Sequence, residues 1–266
     1  MTTAASTQTL VGTLRDMVAL TKPRITMMVV ITAAGGMWLA SRALGELALS
    51  PLRVFGVLAT TAMVVGGANA LNCYLERESD RHMERTRTRP LPARRLDPRL
   101  ALYFGIALGL ISVPILVVAA NPLTGVLGAL ALLIYVAIYT PMKAVTPTAL
   151  LVGAVPGALP PLMGWTAVTN SLDVPGLVLF AILFLWQIPH FIAISIFRQE
   201  DYERAGLKVL PSVQGLGPAK VQTAFYASLL VPVSLMLFPL HVAGKLYLAV
   251  AIVLNIAFVG VSLLGL

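Results

Sequence analysis

Eight apolar runs of near-membrane length dominate the sequence, at 25–44, 53–73, 99–120, 123–140, 148–168, 175–197, 219–240 and 244–266. The hydrocarbon core of a bilayer is crossed by a helix of about 20 apolar residues. A chain that repeats such runs with short gaps has one fold class open to it, an all-α polytopic membrane bundle, here with eight spans. Charged residues make up 11% of the 266 positions, where soluble domains carry about one quarter. Residues 1–266 are therefore expected to form one integral membrane domain, with 1–20 as a polar cytoplasmic tail. The opening residues lack a basic stretch followed by an apolar core and do not read as a cleaved signal peptide.

Charge placement sets the expected orientation. With the N-terminus inside, sixteen of the nineteen Lys and Arg residues fall on the cytoplasmic side. Cytoplasmic loops are enriched in these residues, so the bias implies a cytoplasmic (inner) membrane protein with its charged face inward. The same rule accounts for the net charge of +8 without a nucleic-acid partner. The one cysteine, Cys73, excludes an internal disulfide and a cysteine-cluster metal site.

The acids gather with the bases. The stretch "NCYLERESDRHMERTRTRPLP" follows the second run directly. If that helix continues past Cys73, then Asn72, Glu76 and Asp80 fall at i, i+4 and i+8 and share one face. Two carboxylates and an amide oxygen make a hard-oxygen site. Mg²⁺ is usually held by one or two carboxylates plus substrate phosphates. Downstream arginines, Arg85 and Arg89 among them, offer bidentate forks to phosphate oxygens. The same composition also fits a plain positive-inside loop whose acids offset its arginines. A second cluster, "HFIAISIFRQEDYERAGLKVLP", places Asp201 at the same membrane face, as a further ligand or a solvated loop acid. Lys143, alone in the loop between, reads as a phosphate contact or a topology lysine. His190 lies inside a span, where ionisable groups are costly and often functional. It could contact a metal-bearing ring, or hydrogen-bond a carbonyl freed by Pro189. Pro160 and Pro161 are expected to break or kink the fifth helix.

These stretches, together with "LTKPRIT", "YTPMK", "LVGAVPGALPPLMGW", "WQIPHF" and "DYERAGLKVLP", resemble the UbiA-type intramembrane prenyltransferases, and most closely their haem-modifying branch. The resemblance implies a helical bundle with a cavity open to the cytoplasmic side. It implies transfer of the farnesyl group of farnesyl diphosphate to a vinyl group of haem b, giving haem O and diphosphate, with Mg²⁺ as cofactor. It assigns Asn72, Glu76 and Asp80 to the first metal-diphosphate motif and Arg85 and Arg89 to the basic residues after it. Tyr139 and Lys143 match the next element, Asp201 and Tyr202 the second motif, and His190 a haem contact. Haem A synthase or terminal-oxidase assembly is an implied partner. Glu76 stands where the family usually has aspartate, and "KAVTP" replaces a more basic run after Lys143. The family generally has nine helices, so eight spans imply a missing or truncated ninth. Two other functions are compatible with the residues. One is a UbiA-type enzyme with a quinone precursor as acceptor; the other is a transporter of an anionic lipid.

Overall fold

The computed structural model describes residues 9–45 and 49–265. Its helices are α1 (Leu10–Leu20), α2 (Pro23–Ala43), α3 (Pro51–Leu75), α4 (Pro98–Ala119), α5 (Pro122–Leu133), α6 (Thr140–Met142), α7 (Ala149–Thr169), α8 (Val174–Phe197), α9 (Gln199–Arg204), α10 (Leu210–Gln214), α11 (Leu216–Leu235) and α12 (Lys245–Leu264). A π-helical stretch, Ile134–Tyr139, joins α5 to α6 in one rod, Pro122–Met142. No strand occurs among the described residues.

All eight apolar runs are helical, and seven are long and apolar enough to cross a membrane. The eighth, α11, has 20 residues but opens with the polar stretch "LGPAKVQT", which lowers its mean hydropathy. A short grammar starts half of the long helices. Ser50, Asp97, Asn121 and Asp173 each accept a backbone N–H from the first turn of α3, α4, α5 and α8. A proline follows at the first or second helical position, where its missing N–H costs nothing. Each such pair ends one crossing and starts the next.

The bundle is built around α7. In its spanning window 72% of the residues are buried, against 6% for α12. It packs against α2, α5 and α8. Small residues set its close approach to α2: a Cβ on Gly36 would lie 2.1 Å from the Pro161 carbonyl oxygen, and one on Gly164 1.9 Å from that of Ala33. Helices in lipid associate by such close packing, because no hydrophobic force separates them from the tails. Met37, Val64, Leu116 and Met163 fill the layer between α2, α3, α4 and α7.

Three expectations change. Within the predicted polar tail, residues 10–20 form α1; residues 1–8 lie outside the described residues. Leu10, Val11, Leu14 and Val18 make an exposed stripe on α1, while Asp16 and Leu20 are buried. The amphipathic pattern, not the charge, governs this segment. Next, α3 does not run on to Asp80. It ends at Leu75 with Glu76 as its C-cap, and Asp80 sits in a 3₁₀ turn, Ser79–His82. Lastly, α7 is unbroken through Pro156, Pro160 and Pro161. Packing on three sides holds the helix where proline removes a backbone bond.

Candidate active site

The ends of α2, α3, α6 and α8 surround a cavity of about 280 Å³ on the charged side of the bundle. Asn72, Glu76, Asp80, Arg85 and Arg89 line it from one stretch of chain. Tyr139, Lys143 and Tyr202 line it from others. The break after Leu75 makes this convergence possible. A straight helix would carry Asp80 about 6 Å further along its axis than Glu76. Past Leu75 the chain keeps Asp80 at the cavity wall, its N–H bonded to the Glu76 carbonyl at 2.8 Å. The Thr86 hydroxyl donates to the Asp80 carbonyl at 2.8 Å and ties down the following loop.

The second wall comes from the π-helical stretch. The Thr140 N–H bonds the Tyr135 carbonyl, five residues back. Wide turns of this kind recur at functional sites. Here the stretch presents Tyr135, Tyr139 and Lys143 on one face, with the tyrosine rings 5.4 Å apart. Gly153 on α7 gives the Tyr139 ring its place, since a Cβ there would lie 2.4 Å from a ring carbon.

Each residue of the first motif has one oxygen facing a cation. The Lys22 Nζ donates to the Asn72 Oδ1 at 2.8 Å. Lys143 is ion-paired with Glu76, and its Nζ lies 4.7 Å from the Tyr139 ring centre. The Arg89 Nη1 donates to the Asp80 Oδ2 at 2.9 Å. The Asn72 amide donates onward to Thr140 Oγ1 at 3.2 Å. Burial lowers the Lys22 pKa from its ordinary value. Burial also works against the Lys143 charge, but Tyr139, Glu76 and Tyr135 outweigh it and raise the Lys143 pKa. Both lysines contact the first motif, and a single-sequence reading weighs them unequally, assigning no role to Lys22 or Tyr135. Lys22 also has a left-handed backbone, φ 49°, rare for a side chain of its size. Its one sequence signal was a lysine held by the proline that opens α2.

Two assigned residues lie apart. Asp201 is buried but does not line the cavity, and its carboxylate is taken by Arg204. That hydrogen bond lowers the Asp201 pKa. Its neighbour Tyr202 faces the cavity instead. His190 is exposed on α8 and stacks on Trp186 with ring centres 4.9 Å apart and planes 14° off parallel. No hydrogen bond to a carbonyl freed by Pro189 occurs among the described residues.

Chemically, a pocket with two carboxylates, an amide oxygen and five cations is built for a polyanion that carries a metal. Among the described residues no group of three or more His, Cys, Asp or Glu could hold a metal alone. The ion would need the ligand's own oxygens, and the donor set of Asn72, Glu76 and Asp80 fits it on those terms. A membrane bundle of this form, with this pocket at one end, is a prenyltransferase, and the chain belongs to the UbiA prenyltransferase family, whose pattern matches residues 29–266. It is 53% identical over 250 residues to the protoheme IX farnesyltransferase of Myxococcus xanthus (strain DK1622), covering 94% of this chain and 83% of that one. Identity to the protoheme IX farnesyltransferase of Sorangium cellulosum (strain So ce56) is 54%, over 90% of this chain and 89% of that one. Solved structures share the fold: digeranylgeranylglyceryl phosphate synthase (TM-score 0.77, 20% identity, 95% of this chain and 87% of that one). A UbiA homolog from Archaeoglobus fulgidus bound to DMAPP and Mg²⁺ superposes with TM-score 0.71 at 17% identity, over 94% of this chain and 85% of that one.

Proposed function

We propose that this enzyme transfers the farnesyl group of farnesyl diphosphate to a vinyl group of haem b, with addition of one water to the resulting cation and release of diphosphate, making haem O. The observation that carries the chemistry is the pairing of each of Asn72, Glu76 and Asp80 with its own cation in the cavity. The naming of the relatives above supports the acceptor.

In the free enzyme, Lys22, Arg89 and Lys143 satisfy Asn72, Asp80 and Glu76. Asn72, Glu76 and Asp80 would hold Mg²⁺ with the diphosphate oxygens, and the ion would supply charge neutralisation to the leaving group. The cations then turn to the phosphate oxygens, joined by Arg85 at the same wall. Donors aimed at a developing anion are the largest single source of rate in such sites. Asp201 joins the ligand set only if Arg204 releases it, so it ranks behind the other three. Tyr139 and Tyr135 line the same cavity, where their ring faces would favour positive charge developing on the allylic carbon. Ile25, Leu150, Phe191 and Ile194 add apolar walls that keep water from an allylic cation. The charged end of the bundle faces the cytoplasm, where the diphosphate is supplied.

Labelled farnesyl diphosphate supplied with haem b or with a quinone precursor tests the acceptor. Label in a haem fraction supports the assignment. Label only in the aromatic product overturns it.

A further inference from the structure

The side of α8 next to the cavity carries a feature the diphosphate site does not use. Trp186, His190, Ala193 and Phe197 are all exposed and recur at i, i+4, i+7 and i+11, one face of the helix. Trp186 lies near the middle of α8, too deep for the aromatic belt that marks a membrane surface. His190 lies seven residues from the helix end, about 10 Å inside at 1.5 Å per residue. Among the described residues the His190 ring has ring contacts and no hydrogen bond. An imidazole left so at lipid depth is costly unless a ligand uses it.

The stripe borders the cavity. His190 is one turn from Ile194 and its ring centre is 6.0 Å from that of Phe191, and both neighbours line the cavity. At the surface end the Arg198 guanidinium lies 5.1 Å over the Phe197 ring. Arg204, not Arg198, takes the nearby Asp201 carboxylate. The cavity itself, at about 280 Å³, lies below the roughly 300–1,000 Å³ of an ordinary single-ligand pocket. It does not enclose two large lipophilic substrates together.

We infer that the acceptor docks from the bilayer onto this outer face of α8, with His190 as the ligand to its metal, Trp186 as the stacked ring that orients His190, and Arg198 as its anionic anchor. This rests on the haem reading above. The ligand class is a flat conjugated macrocycle with a metal for the imidazole and carboxylates for the guanidinium. Stacking on Trp186 orients the His190 ring, the part a hydrogen bond plays for most metal-bound histidines. Only the reacting edge of the ring then needs to reach past Phe191 to the prenyl carbon.

The test uses the full chain in nanodiscs, titrated with haem b and followed by the Soret band. His190→Ala and Trp186→Leu are expected to weaken haem binding at least tenfold and to shift the band. Arg198→Gln is expected to weaken it several-fold without the shift. All three keep wild-type affinity for farnesyl diphosphate, which controls for folding, and turnover shows a raised KM for haem with kcat largely held. Wild-type protein that makes haem O, beside variants with unchanged spectra and KM, overturns the docking face and leaves the acceptor assignment standing. Wild-type protein that neither binds nor converts haem b overturns both.

Discussion

At the residue scale the site is a set of exchanges. Asn72, Glu76 and Asp80 are each held by a cation, which on the proposed function the diphosphate would claim, so loss of one partner exposes the other. Asp80 is buried with Arg89 as its charged partner. Asp80→Asn is expected to lower kcat/KM for farnesyl diphosphate by ~10²-fold or more, as for other losses of anion-stabilising groups. Lys22→Ala is expected to cost a similar factor, measured in the same steady-state assay, and its effect falls on kcat as well as KM. A Lys22→Ala enzyme with unchanged kinetics would remove it from the site. Lys22 shows where single-sequence reading stops. In sequence it is one of sixteen inward-biased cations and has the same signature as any topology lysine. Only the backbone turn at φ 49° and the 2.8 Å contact with Asn72, fifty residues away, mark it. Asn72, Glu76 and Asp80 were legible because helical spacing lies within one segment. His190 was legible as unusual, but its outward direction was not, because a helix that borders both cavity and lipid has two apolar sides.

At the element scale, spans and their starts were readable from apolar length and from Ser, Asp or Asn followed by proline. The stop of α3 was not. Nothing after Cys73 is a strong breaker, and the chain leaves the helix to bring Asp80 under Arg89 and Thr86. The π-helical stretch was equally hidden, since "IYVAIY" reads as ordinary apolar helix. Two glycines test these placements. Gly153→Ala puts a methyl group into the Tyr139 ring. The expected result is a clear drop in kcat with a small change in thermal stability, because the ring moves and the bundle does not. Gly164→Ala meets the Ala33 backbone, which cannot step aside. It is expected to cost ~1–3 kcal/mol, the range for overpacking, read as a lowered thermal unfolding midpoint in detergent.

At the scale of the whole molecule, the bundle separates two tasks. The packed post α7 with α2, α3 and α4 fixes a polar cavity at one end, while α8 faces both that cavity and the lipid. The proposed function places the charged end in the cytoplasm. Replacing Cys73 by serine and placing single cysteines at Arg87 and at Lys245 gives a direct check. A membrane-impermeant maleimide applied to intact cells should label the second and spare the first; the reverse pattern inverts the topology. The central claim is the reaction itself. Membranes containing this chain, given haem b, farnesyl diphosphate and Mg²⁺, would be analysed for haems by reversed-phase chromatography, with and without a chelator and beside Asp80→Asn. The account predicts a more hydrophobic haem that needs Mg²⁺ and is absent from the variant. Stable, correctly inserted protein that leaves haem b unchanged while still transferring the farnesyl group to another acceptor would contradict it.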